Sequence, residues 1–254
     1  MLLKLHINKS VHDNASLYYQ EAKETKKRIE GVHAAIEETK KEMLKSEKEF
    51  IAKKKIIKVK KEKKWFEKFH YFYTESGKLA VGGRNAQQND IVYNKYFEEA
   101  DLFFHSDIQG GTAIVLKDGL NASEDEQKEV AQFAASFSNA WKNANASVDV
   151  YSVKKEQVSK HSPGGFIPTG AFAIIGERKW FKSTKLGLKI GLDSGVPVIL
   201  PEVSIKQITS AILLVPSKAG KEKGELTKTI AKRFAVHADS VMEILPNGRT
   251  KIVQ

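Results

Sequence analysis

The segment Gly82-Gly83-Arg84-Asn85-Ala86-Gln87-Gln88-Asn89-Asp90 places a guanidinium and several side-chain amides behind a pair of glycines. The planar fork of Arg84 suits phosphate. Asn85, Gln87 and Gln88 each donate and accept, so they can read base edges or ribose hydroxyls. The two glycines let the backbone take angles that a Cβ forbids, and let it approach whatever Arg84 and Asn85 contact. The alternative is that Asn85 caps the following helix and the glutamines face solvent. A second basic group, Lys154, Lys155, Lys160 and His161, leads into the Pro163-Gly164-Gly165 loop and could clamp a phosphate backbone or be a plain exposed basic loop. A third is the run Lys53, Lys54, Lys55, Lys58, Lys60, Lys61, Lys63 and Lys64, interrupted by one acid, Glu62. Like charges at that density repel one another, which favours a phosphate-tracking role over a solvated face. Trp65, Phe66 and Tyr71 offer ring faces for base stacking, or they belong to the core.

Other constellations are weaker. Asp101, His105 and Asp107 share a face of one strand, with His161 as a conceivable fourth metal ligand, but no HxxxH or carboxylate cluster supports a metal centre. A buried Asp-His hydrogen bond fixing the strand end beside the binding surface is the preferred reading. Serines near His105 and His161 lack a GxSxG elbow, and neither Gly82-Gly83-Arg84 nor Lys218-Ala219-Gly220-Lys221 has Walker A spacing. The expectation is a binding protein, with no enzyme activity, metal or cofactor.

Composition points the same way. The 254 residues carry 42 Lys+Arg against 31 Asp+Glu, a formal net charge of +11, which favours a polyanionic partner, nucleic acid ahead of a membrane surface. Residues 1–64 hold 18 of those cations and 10 of the acids, a net of +8. The rest of the chain is nearly balanced. There is no cysteine, which excludes disulfides and thiolate metal sites and fits a reducing, cytoplasmic location. The apolar runs are too short to span a bilayer, and the N-terminus has no signal-peptide pattern.

The elements that must position these groups fall into three parts. Val11 to Lys64 has no proline and one glycine, Gly31, with Asp13 or Asn14 as the cap. Apolar residues recur every seventh position at Ala15, Ala22, Ile29, Ile36, Met43, Phe50 and Ile57, while the d positions (Tyr18, Thr25, Val32, Thr39, Ser46, Lys53) are weaker. This predicts one amphipathic helix, about 80 Å long if continuous, with half a coiled-coil seam. From Trp65 the pattern predicts strands over 69–73, 78–81, 100–105, 113–117, 148–153, 171–175, 186–192 and 197–200. It predicts a helix over 85–97 and another opened by the capping box Ser123-Glu124-Asp125-Glu126, with Val130, Phe133, Ala134, Phe137 and Trp141 on its apolar face. After Pro201 come a strand over 208–215, a basic turn over 218–223, a helix over 225–234 and a hairpin joining 243–245 to 250–253. The class is α+β: an arm (1–64), a mixed-sheet domain (65–200) and a small C-terminal α+β appendage (201–254), the last alternatively a final layer of the body.

Several motifs in order resemble the NFACT-R domain of the NFACT family of NEMF-like ribosome-associated quality-control factors. They are Trp65-Phe66-Glu67-Lys68-Phe69; Gly82 to Asn89; Asp101-Leu102-Phe103-Phe104-His105-Ser106-Asp107 with Gly110-Gly111; and Gln157-Val158-Ser159-Lys160 followed by Pro163 and Thr169-Gly170-Ala171-Phe172. Asn14-Ala15, Tyr18-Tyr19 and Lys23 to Lys27 are similar to that family's coiled-coil region. His70 stands where relatives usually carry arginine. The resemblance implies RNA binding, to tRNA or rRNA, by a module that anchors a quality-control factor on the large ribosomal subunit carrying stalled peptidyl-tRNA. The residues expected to serve it are Lys53, Lys54, Lys58, Lys61, Lys64, Arg84, Asn85, Gln87, Gln88, His105, Lys154, Lys155, Lys160 and His161. The larger members begin with an NFACT-N domain and helix-hairpin-helix elements that carry tail synthesis, so tail synthesis is not expected of this chain alone. Met1 falls just before the coiled coil, as in a piece of a longer protein or a natural short form. The alternatives from other classes are a coiled-coil dimerisation or protein-interaction module and a general DNA binder.

Overall fold

The computed structural model describes residues 4–54, 64–161, 165 and 167–253, with the backbone alone over 44–54. The described chain divides into two compact units, Met1–Lys60 and Lys61–Gln254.

The first unit is helix α1 (Val11–Lys54), which passes through Gly31 without interruption. Its start differs from expectation. Ser10 Oγ accepts from the Asp13 amide at 3.1 Å, so Ser10 caps the helix in place of Asp13 or Asn14. Asn14 is buried instead, because its side chain holds the preceding segment: Oδ1 accepts from the His6 amide and Nδ2 donates to the carbonyls of His6, Lys9 and Ser10. Tyr18 Oη closes the same turn on Lys4. From Ala15 to Met43 every residue is exposed, the seam positions included.

The second unit is built on two antiparallel sheets. Its elements are β1 (His70–Tyr73), β2 (Leu79–Gly82), α2 (Ala86–Ile91), β3 (Leu102–Ser106), β4 (Ile114–Leu116), α3 (Glu124–Ser136), α4 (Asn139–Lys142), β5 (Ser147–Lys154), β6 (Val158–Ser159), β7 (Ala173–Ile174), β8 (Lys179–Lys185), β9 (Leu188–Asp193), β10 (Val196–Pro201), β11 (Thr209–Lys221), α5 (Lys223–Phe234), α6 (Ala238–Ile244) and β12 (Thr250–Val253). The larger sheet has the order β1-β2-β4-β3-β5-β8, the smaller β10-β9-β11-β12, and β6 pairs with β7. Pro197 and Pro201 lie on β10, an edge strand, where a missing N–H costs no ladder bond.

Strand alternation gives the larger sheet two different faces. Phe72, Ala80, Leu102, Phe104, Ile114, Leu116 and Val150 face a core shared with α3, the smaller sheet and the helices α5 and α6. Val81, Val115, Phe103, Tyr151 and Val153 face the other way, under Phe66, Phe69, Val92, Phe97 and Val158. Ser123 and Glu126 form the expected capping box. Glu126 also accepts from the hydroxyls of Thr74 and Ser76, and so ties the β1–β2 turn to the start of α3.

Several elements depart from the sequence-based expectation. The helix over 85–97 is α2 followed by a π-turn, Val92–Tyr96. The helix with Trp141 breaks at Phe137, where Ser138 caps the short α4. Trp141 then donates Nε1–H to Thr250 Oγ1 at 2.9 Å, joining α4 to β12. The basic turn over 218–223 is strand as far as Lys221, with an irregularity between Pro216 and Lys221 that absorbs the proline. Residues 243–245 are not a hairpin arm. Ala238–Ile244 is helical, with the His237 side chain accepting from the Asp239 amide, and β12 pairs with β11. The boundary expected near residue 200 falls inside the smaller sheet, whose buried residues Leu188, Ile190, Leu214, Leu226 and Val241 lie in the same core as α3.

Candidate nucleic-acid interface

The glycine turn and the aromatic lead before it form one structural unit. Arg84 Nη2 donates to the carbonyls of Glu67 and Phe69 at 3.3 and 3.1 Å. Its own amide donates to Gln88 Oε1 at 3.0 Å, and Gln88 Nε2 reaches the Lys68 carbonyl at 3.4 Å. Asn85 caps α2, accepting from the Gln88 amide at 2.9 Å. The motif thus staples residues 64–69 to α2. Burial lowers the Arg84 pKa, while the nearby Glu243 carboxylate raises it. Gly82 and Gly83 do not take positive φ. They are needed because a Cβ at Gly82 would collide with Ile114 and one at Gly83 with Asn89. The close approach is therefore to neighbouring strand and helix within the domain. Asn85 and Gln87 are solvent-exposed. Phe66 is core, and Trp65 lies flat on Tyr96 with centroids 3.9 Å apart.

Lys160, of the second basic group, forms an ion pair with Asp90, donates to the Ala171 carbonyl at 2.8 Å and sits 4.2 Å from the Phe172 ring centroid. Asp90 Oδ1 also accepts from the Gly170 amide at 3.0 Å. These bonds fix the 168–172 loop. Lys155 lies 3.6 Å from Glu99, Lys154 is exposed at the end of β5, and His161 is exposed. Lys64 is exposed, with its ammonium 5.8 Å from the Phe66 ring centroid. Lys58 and Lys61, and the side chains of Lys53 and Lys54, lie outside the described residues.

His105 does not make the expected hydrogen bond to an aspartate. Asp101 precedes β3 and is buried against Lys117 at 2.6 Å, accepting also from the amides of Glu98 and Asp118. The His105 ring bonds instead to the backbone of Ser106 and Gly111, and burial lowers its pKa despite those bonds.

His105 belongs to an arrangement that the sequence motifs did not reveal. Antiparallel register sets it opposite Tyr151, and Tyr151 opposite Trp180. Tyr151 and Trp180 meet edge-on at 5.5 Å, and His105 and Tyr151 are 5.9 Å apart. The three rings run across β3, β5 and β8 on one face. Arg178 lies 4.6 Å from the Tyr151 ring centroid and 5.7 Å from that of Trp180, and Lys182 lies 4.0 Å from Trp180 while also pairing with Asp149 at 2.8 Å. Trp180 remains 37 % exposed. Chemically, this is a π-surface edged with cations, the combination that binds bases and phosphates together. The available signal was Arg178-Lys179-Trp180-Phe181-Lys182, in which cations and rings interleave.

Beside the row lies a cleft of about 630 Å³ whose wall includes His70, Arg84, Phe103, His105, Tyr151 and Phe172. The His70 pKa is well below its ordinary value, first because of burial and then because of Arg84 and Lys223 nearby.

The fold and this face define a sheet domain that presents aromatic rings and fixed cations. Residues 68–176 match the NFACT protein RNA binding domain, and this part of the chain belongs to that domain family. It is similar to the archaeal Rqc2 homolog aRqcH of Methanocaldococcus jannaschii, at 37 % identity over 78 % of this chain and 30 % of that protein. It is also similar to the ribosome quality control complex subunit NEMF homolog of Drosophila melanogaster, at 31 % identity over 70 % of this chain and 18 % of that one. The human ribosome quality control complex subunit NEMF matches at 32 % over 68 % and 16 %. The chain thus spans less than a third of the length of these relatives. No helix among the described residues is long and apolar enough to cross a membrane.

Proposed function

We propose that this chain is the RNA-binding part of a ribosome quality-control factor. It engages tRNA or ribosomal RNA on the large subunit, in the cytoplasm, by binding and not by catalysis. The observation that carries this reading is the in-register row His105–Tyr151–Trp180 with Arg178 and Lys182 at its edge, in a domain matched to the NFACT RNA binding domain. Rings supply stacking without demanding a sequence, and the cations hold the phosphates. In this reading Arg84, Asn85 and Gln88 shape the surface, as their internal hydrogen bonds favour, while Lys64, Gln87, Lys154 and His161 are rim contacts. Lys160 sets the loop. The arm, residues 1–64, adds its lysines along the RNA backbone, and the body from residue 65 grips the RNA. Tail synthesis is not assigned to this chain alone.

The test is binding of the full chain to tRNA, to a ribosomal RNA fragment and to duplex DNA of equal length across a salt series. Affinity for the RNAs above the duplex, falling steeply with salt, supports the proposal. Equal affinity for the duplex supports general nucleic-acid binding instead.

A second reading has its own observation. Ile29, Val32 and Ile36 are 52 %, 58 % and 45 % exposed on α1, a seam suited to a partner helix. Sedimentation velocity of the wild type beside Ile29→Asp with Ile36→Asp tests it, since only a paired arm loses mass on substitution.

A further inference from the structure

We infer that the cleft beside the aromatic row is a pocket for one unstacked nucleobase of the bound RNA. This rests on the RNA-binding reading above and deepens it by naming what enters that site. At about 630 Å³ the cleft falls inside the range of roughly 300–1,000 Å³ typical of small-ligand pockets. One wall is aromatic, formed by Phe103, His105, Tyr151 and Phe172. Amides line it too: Asn85, Asn139 and Asn247. Asn139 uses its Nδ2 on the Gln109 carbonyl, and Asn85 and Asn247 use their Oδ1 on the Gln88 amide and on Lys223. Among the described residues nothing bonds the other end of each amide, which leaves it for a ligand edge that both donates and accepts, as a base edge does.

Charge narrows the ligand class. No aspartate or glutamate lines the cleft among the described residues, so it offers no carboxylate to neutralise a bound cation. Its two imidazoles are kept neutral by burial. Among the described residues Arg84 is the one lining cation: its Nη2 donates to two backbone carbonyls, and its Nε is buried without a hydrogen-bond partner. A planar group with a polar edge fits these walls, and the unpartnered Arg84 Nε–H offers a donor to an acceptor on that edge. His105 and Tyr151 belong both to the cleft and to the ring row that ends at the exposed Trp180. A strand lying on the row, with phosphates at Arg178 and Lys182, would pass the cleft mouth and could turn a base into it. The lining segment 168–172 is fixed by the bonds of Asp90 to Gly170 and Lys160, so the pocket is formed before RNA arrives.

The experiment uses the full chain and two labelled RNA hairpins that differ at one bulged position, one carrying a base and the other an abasic ribose. The wild type is expected to prefer the base-bearing hairpin by about tenfold, in the range of a single base–aromatic stack. Ala171→Trp adds a ring to the cleft lining from an exposed position whose backbone bonds are retained. It should abolish that preference and leave affinity for the abasic hairpin unchanged. Equal wild-type affinity for the two hairpins, with binding still strong, would overturn the pocket and leave the RNA-binding reading standing. Loss of binding to both hairpins at low salt would overturn that reading and the pocket with it. Nucleoside monophosphates distinguish the remaining source: saturable binding of the free nucleotide, with no base preference in the hairpins, would make the cleft a mononucleotide site and overturn the assignment to RNA.

Discussion

Tyr151 stands directly opposite Trp180 across the β5–β8 ladder, and their rings meet edge-on at 5.5 Å with the Arg178 guanidinium over both. Tyr151 is buried and anchors the pair, while Trp180 keeps over a third of its surface in water. A ring held rigid by its neighbour but left open on one side loses little entropy when a base stacks on it.

Trp180→Ala should therefore weaken RNA binding by roughly 5- to 100-fold, the value of about one stacked base. Stability should change by no more than about 1 kcal/mol, because the ring is at an edge strand. Fluorescence anisotropy with tRNA and a thermal melt, run on the same preparation, separate the two effects.

Arg178→Ala and Lys182→Ala should each lower the slope of log affinity against log salt by about one phosphate contact. Lys160→Ala should leave that slope unchanged, because its largely buried ammonium is held by Asp90 and the Ala171 carbonyl, whereas Lys182 meets Asp149 from a mostly exposed side chain. A salt titration of the three variants checks this ordering.

Lys160 and Asp90 should instead behave as one positioning device. Either alanine variant is expected to cost about 1–2 kcal/mol and to speed amide exchange in residues 168–172. The double variant should cost much less than the sum, since each partner's bond is already lost in the single variant. Hydrogen exchange and a double-mutant cycle measure both quantities.

The first two sequence motifs were legible as motifs and illegible as structure. Their spacing and composition marked a special turn, and Asn85 could be read as a cap. Nothing local disclosed that Arg84 and Gln88 reach back to the carbonyls of residues 67–69, because that is a tertiary contact. The capping box at Ser123 and the apolar face of α3 were readable because both signals lie within one turn or one helix. β8 escaped for a physical reason: Lys179, Lys182 and Lys185 interrupt the alternation expected of a half-buried strand, and at an edge strand such charges are tolerated. With β8 missing, the outer member of the ring row was missing too. α6 was misread because Ile244-Leu245 is an apolar pair too short for periodicity to separate strand from helix.

Acid should unfold the domain in two steps of opposite origin. His70 and His105 have lowered pKa values, so the unfolded chain takes up their protons first and stability declines as pH falls through about 6.5. Burial alone would raise the Glu126 pKa, but the bonds from Ser76, Thr74 and the Ser123 amide outweigh it and bring the pKa to about 2. That carboxylate stabilises the fold above its unfolded pKa of 4.5, and the contribution is lost between there and about 2. Glu126→Gln should flatten the lower part of a stability–pH curve measured by urea denaturation, leaving the upper part unchanged.

The most direct test of RNA binding through the ring row is co-sedimentation of the full chain with purified large ribosomal subunits, with and without bound peptidyl-tRNA, over a salt series. Wild type and the Arg178→Ala, Trp180→Ala double variant are compared. The account predicts salt-sensitive binding by the wild type, stronger when the tRNA is present, and a loss of at least tenfold in the folded double variant. Binding by the double variant equal to that of the wild type, or no wild-type binding at low salt, would contradict it.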